Sequence, residues 1–75
     1  MVNIAHFIKL NSITIMNRHG RFAVTLEGVT SNGRTHELVV GEWNLYKEAQ
    51  ICARGFAALF QFPIKGIIDQ APPKF

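Results

Sequence analysis

Cysteine is almost absent: Cys52 is the only one, so no intrachain disulfide can form and the framework of a small secreted domain is excluded. A reducing cytoplasm is the expected compartment. Long apolar runs are missing too, since no stretch reaches the ~20 apolar residues that a membrane-spanning helix needs. No basic stretch opens the chain, and His6, Lys9 and Asn11 interrupt its first apolar residues before any small-residue cleavage site. Neither a leader peptide nor a membrane partner is expected. Soft metal ligands amount to His6, His19, His36 and Cys52, no two at a zinc-binding spacing. The five acidic residues are scattered, without a pair suited to acid–base work. None of the six glycines opens a helix from a strand, as a phosphate loop would require. These absences point away from an enzyme and imply no metal and no other cofactor.

What is present is apolar surface in a short chain. Seventy-five residues allow one core and a single domain, residues 1–75, because so small a chain buries a modest fraction of its surface. At 48% apolar residues some of that surface must stay exposed, and an interface is the expected use for it. The net charge of +3 is a mild basic excess, compatible with a phosphate backbone or an acidic protein surface.

Ile4, Phe7 and Ile8 fall at helical spacing and predict a short helix over residues 3–10, with an extended lead-in as the alternative. Ile13-Thr14-Ile15-Met16 reads as a strand closed by the turn residues Asn17-Arg18-His19-Gly20. Phe22, Val24 and Leu26 then alternate with Arg21, Ala23, Thr25 and Glu27, the period of a half-buried strand. Asn32-Gly33 predicts a hairpin through a type I′ turn, which needs positive φ at both central residues. In the return strand the run Leu38-Val39-Val40 blurs the facing, suggesting a bulge near Gly28 or contacts on both faces.

Asn44 is the expected N-cap of a long helix that ends before Pro63. Leu45, Ala49, Cys52, Ala53, Phe56, Leu59 and Phe60 recur at three and four residue steps and predict its buried stripe. The expected fold class is therefore α+β: a two-layer domain with a three-stranded antiparallel sheet packed on one long C-terminal helix, and a short helix in front. Residues 64–68 are an apolar segment suited to capping the core, and residues 69–75, with Pro72-Pro73, read as an irregular tail.

Two candidate binding surfaces arise from this arrangement. Gly55 stands inside the long helix, where it costs roughly 1 kcal/mol relative to Ala, so either something packs closely there or the helix bends. With Ile51 and Ala58, flanked by Arg54, it forms a strip on the less buried side. That strip is either covered by residues 64–68 or is a face for a protein partner or for self-association as a homodimer. The second surface is a basic pole: strand directions should gather Arg18, His19, Arg21 and Lys47 at one end of the sheet, as a cluster for nucleic acid or as solvated turn charges.

Residues 21–59 resemble a double-stranded RNA-binding domain. Phe22-Ala23-Val24-Thr25-Leu26, Asn32-Gly33 and Lys47-Glu48-Ala49-Gln50-Ile51-Cys52-Ala53 are similar to that family's strand, hairpin and alanine-rich second helix. The resemblance implies a helix, three strands, helix order and recognition of duplex RNA by shape and phosphate contacts. Two contact stretches read differently here. The lysine cluster at the start of the second helix is Tyr46-Lys47-Glu48-Ala49-Gln50, and the family's Gly-Pro-x-His loop is Asn17-Arg18-His19-Gly20. The expected function is a small non-enzymatic protein-interaction module, of the size and type of phage or mobile-element inhibitors and regulators of nucleic-acid machinery, such as anti-CRISPR proteins. The alternative is a weak binder of structured RNA or DNA through the basic pole.

Overall fold

A 3-10 turn, Ile4–His6, leads straight into strand β1, Phe7–Arg18, in a computed structural model that describes residues 4–70. The short helix expected over residues 3–10 is thus a correction: one 3-10 turn forms and the chain then extends, while Asn3 lies outside the described residues. The cause is visible in the pairing of β1 with β2, Arg21–Thr30. Phe7 faces Thr30, Lys9 faces Val29, Leu10 faces Gly28 and Ser12 faces Glu27, so Ile8 and Asn11 are extra residues. Each bulge adds one residue between inward positions. Phe7, Leu10 and Ile13 therefore point into the core three residues apart, and a bulged strand imitates the spacing of a helix.

The β1–β2 turn is the two-residue type I′ connection. His19 has φ 55 and Gly20 has φ 81, between the paired Arg18 and Arg21, and Asn17 Oδ1 accepts a hydrogen bond from the Gly20 N–H at 3.2 Å. The turn expected at Asn32-Gly33 is of another kind. Gly33 alone has positive φ, its N–H donates to the Thr30 carbonyl at 2.9 Å, and the Thr30 N–H donates to the Arg34 carbonyl at 3.0 Å. That is a three-residue loop, a type I turn followed by a left-handed residue. Asn32 serves it by side chain, its Oδ1 accepting from the Arg34 N–H at 3.0 Å.

Strand β3, Thr35–Trp43, returns antiparallel to β2. Its register shifts between Val24–Gly41 and Thr25–Val39, leaving Val40 extra, which explains why three apolar residues follow one another. The long helix α1, Tyr46–Leu59, is capped by Leu45 rather than Asn44, without a side-chain cap hydrogen bond. It ends where expected. Gln61 turns left-handed at φ 55, the Phe62 N–H donates to Ala57 and the Gln61 N–H to Ala58, a Schellman closure just before Pro63.

Residues 64–68 do more than cap the core. After the 3-10 turn Ile64–Gly66, strand β4, Ile68–Asp69, pairs parallel to β1 through Thr14–Ile68 and Ile15–Asp69. The sheet thus has four strands in the order β3-β2-β1-β4 and is mixed, correcting the expected three antiparallel strands. Asp69 belongs to a strand rather than to an irregular tail, and residues 71–75 lie outside the described residues.

One face of the sheet meets α1. Phe7, Leu10, Ile13, Ile15, Val24 and Leu26 pack against Ala49, Ala53 and Ala57, and each large side chain so buried contributes about 1.5–3 kcal/mol. The helix is rotated from the expected stripe. Three alanines one turn apart form its contact ridge, with Tyr46, Cys52, Phe56 and Phe60 half-buried at the flanks and Leu45 and Leu59 exposed. Small residues at the centre let the helix approach the sheet closely, while larger flanking side chains close the sides. The Cα extents of 43 × 25 × 15 Å fit these two layers.

Candidate functional site

The rotation of α1 decides what the helix presents to the outside. Ile51 is 62% exposed and Leu59 68% exposed, and Arg54, Gly55 and Ala58 are exposed beside them. A Cβ added at Gly55 would meet nothing within 4 Å. Cys52, Gly55, Phe56 and Leu59 line a shallow apolar hollow along this face. All four residues of the expected strip, Ile51, Arg54, Gly55 and Ala58, thus share the outer side of the helix. The segment 64–68 does not cover them: Ile64 and Ile67 instead join Ile15, Gln50, Ala53, Arg54 and Asp69 around a separate cleft of about 150 Å³ at the flank of the helix. The Tyr46 hydroxyl donates to Asp69 Oδ2, tying β4 to the start of α1.

Cys52 is half-buried rather than fully enclosed, and burial pushes its thiol above the ordinary value. A thiol so shifted is mostly protonated at neutral pH and is a poor nucleophile and a poor metal ligand. Among the described residues no three His, Cys, Asp or Glu side chains gather as a metal site.

The basic pole assembles by strand register. Arg18 pairs with Arg21 across the type I′ turn, Phe22 pairs with Trp43, and the Phe22 ring meets the Tyr46 ring edge-on at 5.5 Å. The start of α1 is thereby brought to the turn end of the sheet, so Arg18, His19, Arg21 and Lys47 are all exposed at one end. Arg21 is partly engaged. Its Nη2 donates to the Glu42 carbonyl at 3.2 Å and its Nη1 lies 4.0 Å from Glu42 Oε1. An exposed pair at that distance contributes little, about 0–1 kcal/mol.

A family model described as a protein of unknown function (DUF4085) matches residues 2–68. The chain belongs to this family. No curated protein and no solved structure matches it. The span shared with DUF4085 contains both the outer face of α1 and the basic pole.

Reading the sequence alone missed Cys52, Phe56 and Leu59 as parts of the outer face, having placed them in the buried stripe. The missed signal was the row Ala49, Ala53 and Ala57, whose four-residue spacing marks a ridge in close contact with a sheet. Among the described residues no helix is long and apolar enough to cross a membrane.

Proposed function

We propose that this DUF4085 chain is a non-enzymatic protein-interaction module whose outer α1 face docks on an apolar surface of a partner protein. The observation that carries the reading is the exposure of Ile51 and Leu59 around the open Gly55 hollow. A monomer gains nothing by holding two large aliphatic side chains in water on a helix whose opposite ridge is alanine, whereas a partner would bury them at about 25 cal/mol per Å². A role as inhibitor or regulator of nucleic-acid machinery, of the kind phages encode, rests on size and type alone and is the finer part of the proposal.

A second reading has its own observation. The register gathers Arg18, His19, Arg21 and Lys47 at one end of the sheet, a footprint for structured RNA or DNA. Three constant positive charges would release few counterions, so the slope of log K against log salt should be no steeper than about −3.

The test is a comparison of two variants against a partner recovered from native lysate with the full chain. Ile51→Glu with Ala58→Glu should abolish capture, because a carboxylate would be desolvated against the docked surface. Arg18→Ser with Arg21→Ser and Lys47→Ser should leave capture within a few fold of native. The opposite pattern, joined to salt-sensitive binding of duplex RNA, would replace the first reading by the second.

A further inference from the structure

We propose that the sheet face turned away from α1 is a self-association surface, covered by a second copy of this chain with its strands antiparallel to those of the first. The inference is independent of the outer α1 face.

Strand β2 supplies the first ground. Val24 and Leu26 face the helix, whereas Ala23 and Thr25 point to the other side, yet Ala23 is fully buried and Thr25 only 5% exposed. An antiparallel sheet with one solvated face alternates apolar and polar residues. Here the middle of the outer face is Met16, Ala23, Thr25, Val39 and Ile68, with Val39 42% and Ile68 44% exposed. The Thr25 hydroxyl at its centre is buried and has no hydrogen-bond partner among the described residues. That arrangement suits the inside of an interface better than a wetted surface.

Charge then selects the occupant and its orientation. At the turn end of this face stand Arg18 and Arg21 with Glu42, and at the far end Glu27 and Glu37 with Lys9. Glu42 and Lys9 reduce the contrast without reversing it: one end is net basic, the other net acidic. A two-fold axis along the strands would set the basic end of one copy on the basic end of the other. An axis across the strands sets it on Glu27 and Glu37 of the second copy, with the apolar middles in register. The face is therefore complementary to itself in one orientation only.

Area sets the strength. Three full strands about 4.8 Å apart and about 27 Å long offer on the order of 500 Å² per copy, or about 1,000 Å² in total. That is the lower bound for specific association, so a reversible dimer in the micromolar range is expected.

Sedimentation equilibrium of the full chain from about 1 to 500 µM reads this directly, the range being set by the small interface. The expected result is a mass rising from monomer to dimer. Val39→Lys should hold the chain monomeric, and Arg18→Glu with Arg21→Glu should weaken the dimer tenfold or more. Adding Glu27→Lys and Glu37→Lys to the latter should restore it by reversing both ends. Ile51→Glu should leave it unchanged. Far-ultraviolet circular dichroism checks folding, and if Val39→Lys unfolds, the charge reversal and its rescue decide by themselves. A native chain that stays monomeric, a dimer indifferent to both sheet variants, a failure of rescue in folded protein, or a dimer lost with Ile51→Glu would each overturn the proposal.

Discussion

Replacing Gly55 by alanine is expected to stabilise the chain, which is the reverse of what a glycine held by close packing would do. Gly55 lies in the interior of α1 on its exposed side, and the added methyl would meet no atom within 4 Å. The gain is then the difference in helix propensity, about 0.8–1.0 kcal/mol, with no offsetting clash and almost no burial. For a chain of this length 1 kcal/mol raises the melting temperature by roughly 4–8 °C. Urea unfolding monitored by circular dichroism should show a higher midpoint at an unchanged slope, since the surface exposed on unfolding hardly differs. Equal or lower stability would refute the reasoning, because it would mean that something in the folded chain occupies the hollow beside Gly55. Partner capture separates two uses of the glycine. If stability rises while capture falls, the partner backbone comes close to this position.

Gly28→Ala should be costly, by about 3 kcal/mol in the same unfolding assay, because its methyl would press on the Lys9 carbonyl oxygen between Phe7 and Leu10; a loss under about 1 kcal/mol would mean that the β1 bulges are misplaced. His19→Gly should stabilise by up to about 1 kcal/mol by relieving a left-handed residue at φ 55, whereas Gly33→Val should destabilise by more than about 1 kcal/mol at φ 81. Equal melting temperatures for these two variants would contradict the turn assignments. Burial raises the Cys52 thiol above its ordinary 9.0, so iodoacetamide at pH 8 should alkylate it more slowly than in the urea-unfolded chain. The folded state favours the protonated thiol, so its contribution to stability is present below pH 9.0 and is lost as pH rises through the higher folded value. Alkylation as fast as in urea would show that the thiol is not shielded.

Local chemistry made much of the fold legible. Phe22, Val24 and Leu26 alternate as a strand does, Asn32-Gly33 marks a hairpin, and Pro63 ends the helix, because each signal depends on neighbours within a few residues. The outer strip on α1 was legible for the same reason: Gly55 is costly in a helix wherever the helix lies. The basic pole needed one more step, antiparallel strand direction, which short connections impose.

Tertiary structure decided the rest. Phe7, Leu10 and Ile13 are three apart in any sequence reading, and only pairing with β2, which expels Ile8 and Asn11 as bulges, shows that the spacing is a strand's. The phase of α1 was set by contact. Large apolar residues dominate a wheel drawn from sequence, but the sheet accepts the small alanines at the centre of the interface and moves Leu59 into water. β4 has two residues and little propensity to record; it exists because Gln70 and Asp69 find the free edge of β1, where the Gln70 N–H donates to the Ile15 carbonyl at 2.8 Å. The sequence by itself therefore determined where strands and helix lie and which residues are costly in water. Their facing, and with it the two surfaces left for partners, came from packing, because facing depends on which distant residues meet.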